Sequence, residues 1–287
     1  MDKIKIIAVT LLIVPSLILA EQEPWEIFLD ANLTMTLNTY SNSWTGEEAG
    51  SFSWASRLLL EANKQLHKKF RVENTLKLGF GQSKIQDKDT DKWSKIQVST
   101  DLIDFETVNK FTLDGFVDPY IAGRVQTTFL DASPTNHEVK YANPIIITES
   151  FGASRRIIKK DDHKLSTRFG GAAYQRINRK VKATNDGGLE LVTNYLINAK
   201  ENIITYTSFL NLYQALMSSE NANNKWKTID IDWQNNLSVN VTKYIMIGFM
   251  FQMLYDRDIS EDLRTRQLLS VGLTFKYKSK KEEEKKQ

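Results

Sequence analysis

Apolar and polar residues alternate along most of this chain with a period of two, the spacing that puts successive side chains on opposite faces of a β-strand. Residues 228–241, TIDIDWQNNLSVNV, show it most clearly. One face carries Ile229, Ile231, Trp233, Asn235, Leu237, Val239 and Val241; the other carries Thr228, Asp230, Asp232, Gln234, Asn236, Ser238 and Asn240. Such a strand separates two unlike environments. Residues 241–258, VTKYIMIGFMFQMLYDRD, follow with no charge between Lys243 and Asp256. That run is too short to cross a bilayer as a helix, which takes roughly 20 residues, and ample as a strand, which takes about 9 to 11.

The same pattern predicts strands over 25–41, 51–66, 69–83, 93–108, 111–131, 144–158, 164–177, 187–198, 202–217, 227–241, 243–257 and 264–278. These number about twelve, and each is well beyond the roughly 5 to 6 residues of a soluble strand. The fourth slips phase near Ile103 and Asp104, and the fifth contains Pro119, so a bulge is expected in both. No amphipathic helix interrupts them.

The connections alternate strictly between short and long. Short turns fall at 66–70, 108–111, 159–165, 198–203 and 241–244, four of them placing a Lys (Lys69, Lys110, Lys164, Lys243) just before an apolar or aromatic residue. Longer polar links lie between them, the last being DRDISEDLRTR, 256–266. A repeated hairpin with one short end and one long end predicts an all-β fold, a transmembrane antiparallel up-and-down β-barrel of about twelve strands. A periplasmic β-sandwich also presents one apolar face per strand. Charge separates the two, because a Lys or Arg facing lipid at mid-bilayer costs roughly 2 to 4 kcal/mol. None of the outward positions of the last three strands, through Gln267, Leu269, Val271, Leu273, Phe275 and Tyr277, is charged. Aromatics gather at both strand ends: Phe70, Phe111 and Tyr244 beside short turns, and Trp54, Phe80, Trp93, Phe129, Trp226 and Tyr255 toward the long loops. Girdles of this kind are expected where rings meet lipid headgroups.

Residues 1–20 read as a secretory signal, with Lys3 and Lys5 ahead of an apolar run that ends at Ala20. The predicted organisation is therefore signal peptide 1–20, barrel 21–277 and a charged periplasmic tail 278–287, with both termini in the periplasm and the barrel in the cell outer membrane. The formal charge is +3, and acidic and basic residues become equal in number once the signal and tail are set aside. Nothing in that balance points to nucleic acid. With no cysteine there is no disulfide, zinc finger or thiol nucleophile.

Residues 143–154, NPIIITESFGAS, and 164–177, KLSTRFGGAAYQRI, resemble the uncharacterised outer-membrane β-barrels of Gram-negative bacteria filed as a domain of unknown function. Residues 226–260, WKTIDIDWQNNLSVNVTKYIMIGFMFQMLYDRDIS, closing with RQLLSVGLTFKY at 266–277, resemble them more firmly. The resemblance implies a barrel and a location and brings no catalytic residues with it. One departure is the tail KSKKEEEKKQ, since many such barrels end on an aromatic residue that assists assembly. Phe275 and Tyr277 would serve that part earlier in the chain.

Candidate chemistry is sparse. His67 and His163 fall in short turns, and His137, near Asp131, Ser133 and Glu138 in a long loop, is the one place where a Ser-His-Asp hydrolase could be drawn. No phosphate loop, zinc spacing or complete calcium loop is present, so no metal, cofactor or catalytic site is expected. The charges predicted to face inward are Arg57, Glu61, Arg71, Glu73, Asp114, Asp118, Arg124, Glu149, Arg168, Arg176, Glu190, Asp230 and Asp232. Ionisable groups at membrane depth should face a wet lumen or one another. They either pair into a plug or line a pore, and a barrel of this size fits both. The expected role is a small passive channel for polar solutes or a structural barrel, in contact with outer-membrane lipid and the barrel-assembly machinery. A surface receptor or adhesin acting through the long loops, and the soluble sandwich, are the alternatives.

Overall fold

The computed structural model describes residues 24–39, 50–87, 90, 92–113, 115–130, 141–160, 162–179, 183–200, 203–219, 224–257 and 260–279. The expected signal peptide, most of the charged tail, His137 and Asp114 lie outside these. Twelve strands follow in order: β1 (Glu26–Asn38), β2 (Ser51–His67), β3 (Phe70–Ile85), β4 (Gln97–Phe111), β5 (Asp118–Thr127) and β6 (Ile145–Lys159). Then come β7 (His163–Ile177), β8 (Thr184–Ala199), β9 (Ile204–Ser218), β10 (Asp230–Asn240), β11 (Ile245–Asp256) and β12 (Ser260–Lys278). Each pairs antiparallel with its sequence neighbours, and β1 closes on β12 from Phe28↔Lys278 to Thr34↔Gly272. Closure leaves no unpaired edge, which is what allows strands to cross a hydrocarbon layer at all.

The exterior is the apolar face of every strand. Phe151 and Leu269 are 67 % and 71 % exposed, and Ile121, Phe169, Val271 and Phe275 are exposed beside them. A soluble protein has no means of leaving such a continuous apolar belt in water, and the fold is that of a transmembrane barrel. Outside, Phe70 packs on Phe111 at the short-turn end, and Trp54, Phe80 and Phe129 form a chain of ring contacts toward the long loops. Inside β6 and β7, Gly152 faces Gly170 in register; a Cβ on either would strike the backbone of the other strand.

Five expectations need correction. β4 runs through Phe111, so 108–111 is strand and not turn, and β5 starts only at Asp118. The irregularity in β4 lies opposite Gly81 and Gln82, where pairing jumps from Thr100 to Val98, and not at Ile103 and Asp104. No register shift accompanies Pro119, which sits second in β5, pairs with Ala153 and precedes the start of β4 pairing at Tyr120. Residues 260–266, expected in the last long link, are strand, because β12 begins at Ser260 and pairs with Asp256. Trp226, expected in the outer girdle, lies in a short 3-10 helix (Asn224–Lys227) and packs, as Tyr174 does, against the buried interior residues Ala172, Tyr213 and Ala215.

Candidate functional site in the lumen

Register carries the interior face from strand to strand, since antiparallel partners project to the same side. From Thr274, buried opposite Asn32, the interior set runs through Arg57, Glu61, Arg71, Glu73, Asp118, Arg124, Arg168, Arg176, Glu190, Asp230 and Asp232. Glu149 is the exception. It pairs with Gly123 and Ala173 on the outer face, between Ile147 and the exposed Phe151. Its neighbours Thr148 and Ser150 are polar as well, so three consecutive polar residues gave alternation nothing to choose between.

Interior charges on several strands escaped the sequence reading, among them Lys77, Asp104, Glu106 and Lys110, Asp30 and Lys276, Asp186, and Arg264 and Arg266. Placing the phase slip too late in β4 hid three of them. With the slip moved toward Ser99, Leu102, Asp104, Glu106, Val108 and Lys110 alternate cleanly against Ile103, Phe105, Thr107, Asn109 and Phe111. Lys77, Asp104 and Glu106 lie at the heart of the lumen.

There the Arg124 guanidinium donates to both carboxylate oxygens of Asp104, at 2.8 and 2.7 Å, with Asp104 3 % and Arg124 8 % exposed. Lys77 stands 3.9 Å from the same carboxylate, and Arg168 donates to Glu106. Bidentate geometry makes the Arg124 pair directional as well as charged. From β9, the Phe209 ring receives two of these cations, Lys77 Nζ at 4.6 Å and Arg124 Cζ at 5.5 Å from its centroid. Arg168 lies over Tyr120 at 5.7 Å. β3 and β9 are separated by five strands in either direction around the barrel. The Lys77–Phe209 contact therefore spans the lumen and makes a septum of side chains across it.

The septum divides the interior unequally. Asp104, Val108, Tyr120, Ala122, Arg124 and Ser150 on β4–β6 are buried, as are Arg168, Ala172, Glu190, Val192, Tyr213 and Ala215 on β7–β9. That half of the barrel is packed like a core. On the other half, Thr36, Asn38, Asn236 and Arg266 face inward yet are exposed, on β1, β10 and β12. Asp232 accepts hydrogen bonds there from Gln234 and Gln252, and Gln252 in turn accepts from Arg266. The floor of this open side is closed toward the short-turn end by the buried Met246 and Met250.

Nearer the short turns a second network joins Arg71 to Glu26 at 2.8 Å and to Glu73 at 3.1 Å, with Lys110 also donating to Glu73. Among the described residues no cluster of His, Asp and Glu has the arrangement of a metal site. His67 and His163 lie at strand ends beside short turns, and a shallow hollow of about 510 Å³ lined by Lys160, Asp162, His163 and Asn198 opens at the same end.

Residues 35–132 match the model of a protein family of unknown function, DUF3078. Comparison with curated protein sequences gave no match. Among solved structures, the chain is similar to an outer membrane channel from Pseudomonas putida F1, at 10 % identity and a TM-score of 0.40, over 91 % of this chain and 98 % of that one. It is also similar to the translocator domain of the autotransporter NalP from Neisseria meningitidis, at 9 % identity and a TM-score of 0.35, over 88 % of each chain. A third is the CymD monoaromatic hydrocarbon channel, at 10 % identity and a TM-score of 0.34, over 90 % of this chain and 89 % of that one. A closed antiparallel barrel with an apolar belt outside and polar groups within is the outer-membrane type of architecture, and this chain has that form.

Proposed function

We propose that this outer-membrane barrel is a narrow channel for small polar solutes, obstructed at mid-height by a septum of its own side chains. The observation that carries the reading is the contact of Lys77 with Phe209 across the full width of the barrel. An open pore of the porin kind needs a lumen free of such crossings. A purely structural plug has no use for a half-lumen faced with Asp232, Gln234, Asn236 and Gln252, whose side chains can replace the hydration shell of a passing solute. Solutes would enter on the β10–β12 and β1–β2 side and pass the septum as it yields.

β1 begins and β12 ends at the short-turn end, which we assign to the periplasm, with the longer loops outside the cell. Phe275 and Tyr277 lie on the outer face close to the end of β12, where an assembly machinery could read them.

Planar-bilayer recording of the refolded protein tests the reading. Small conductance steps are expected from the wild-type barrel, and larger steps from Phe209→Ala. Steps as large as those of an open porin in the wild type would overturn the septum. Silence from both proteins at high load would overturn the channel.

A further inference from the structure

The interior wall of β12, β1 and β2 holds cations that the septum leaves without counter-charges. Arg264 and Arg266 are successive interior positions of β12, paired with Leu254 and Gln252. Arg57 is the interior residue of β2 opposite Asn32. Among the described residues Arg57 makes no hydrogen bond and no ion pair, and the charged group acting on it is a further cation, Arg266. Arg264 has its Nε buried without an acceptor. Arg266 donates to the neutral Oε1 of Gln252 at 2.9 Å. The carboxylate that acts on it, Asp232, already accepts from the amides of Gln234 and Gln252 and acts on Lys77 and Arg124 as well.

Elsewhere in this lumen Arg71, Arg124 and Arg168 each meet a carboxylate, although the Nε of Arg168 and that of Arg176 are left without an acceptor as in Arg264. A guanidinium presents five N–H donors in a planar fork, and leaving them without acceptors in a partly dry interior costs free energy. The mutual repulsion of Arg57 and Arg266 adds to that cost. An oxyanion placed between them would relieve both penalties, since carboxylate and phosphate oxygens match the fork. Between β2 and β12, β1 turns Asn32, Thr34 and Thr36 to the interior; the Thr34 hydroxyl donates to the Ala55 carbonyl and the Asn32 amide to Asp30, which leaves the second amide N–H of Asn32 and the Thr36 hydroxyl for such an anion.

We propose that Arg264, Arg266 and Arg57 form a descending track on the long-loop side of the septum that binds a small oxyanion, a phosphate or a carboxylate. Binding itself does not depend on conduction. The consequence for permeation, a preference for anionic solutes, rests on the channel reading above.

The test uses the full mature protein refolded in detergent, with inorganic phosphate and acetate as separate probes and chloride at matched ionic strength as control. Phosphate or acetate should raise the temperature at which the folded band is lost on a gel, where chloride does not. Arg57→Gln and Arg266→Gln should each weaken that effect at least about tenfold, the loss expected for a charge-assisted contact. Arg57→Lys, which keeps the charge and removes the fork, gives a second variant if the neutral ones fail to fold. An unchanged shift in a folded Arg57 or Arg266 variant, or no shift in the wild type, overturns the track. In bilayers under a salt gradient, the wild type should favour anions and the Arg57→Gln, Arg266→Gln double variant should move toward cations. A wild type that binds phosphate without conducting leaves the track standing and removes the channel. One that conducts with no phosphate shift and no anion preference does the reverse.

Discussion

Lys77 and Phe209 meet 4.6 Å apart although their strands, β3 and β9, stand on opposite sides of the barrel. A cation over a ring in a partly dry interior contributes up to about 2 kcal/mol. A double-mutant cycle of Lys77→Met and Phe209→Leu in urea unfolding should give a coupling of roughly 1 to 2 kcal/mol. A coupling indistinguishable from zero would mean that the lumen is not crossed there.

Asp104 and Arg124 are a buried bidentate pair within that septum. Removing one member strands the other, so Asp104→Leu or Arg124→Met alone should cost about 3 to 5 kcal/mol. Combining the two substitutions in one chain removes both charges together and should recover most of that loss. Equilibrium unfolding of the wild type, the two single variants and the double variant decides it: additive losses would contradict direct pairing.

Glu149 lies on the outer face beside Gly123 and Ala173, where lipid tails and not water surround the strand. A carboxylate facing lipid costs less than Arg or Lys but still costs. Glu149→Leu should therefore stabilise the refolded barrel by up to about 1 kcal/mol, while Glu106→Leu, which strands Arg168, should destabilise it. Destabilisation by Glu149→Leu in lipid would show that the carboxylate has a partner beyond this chain.

Leu269 and Asn236 test the two faces directly, the first outward and 71 % exposed and the second inward. Leu269→Arg should cost about 2 to 4 kcal/mol in a bilayer. Asn236→Arg faces the open half of the lumen and should be tolerated within about 1 kcal/mol. Equal costs at the two positions would undo the assignment of faces.

Alternation along the chain is enough to assign which residues of β10, β11 and β12 face out and which face in, and hairpins with unequal ends are enough to show an up-and-down sheet of about twelve strands. Both follow from nearest-neighbour rules: side chains alternate every residue, and a charge facing lipid carries a penalty wherever it occurs. Those rules fail where local chemistry is degenerate. Thr148, Glu149 and Ser150 are all polar, so only pairing with Gly123 and Ala173 turned Glu149 outward. Ser99 shifts the phase of β4, and Asp104 and Glu106 came to the interior only once β3 and β5 fixed the register. Trp226 reads as a girdle residue until its short helix packs it against Ala172, Tyr213 and Ala215. The septum was the least legible feature of all, because Lys77 and Phe209 are joined by nothing but the curvature of the closed sheet. Closure sets the distance between opposite walls, and no spacing along a chain encodes a contact that depends on it.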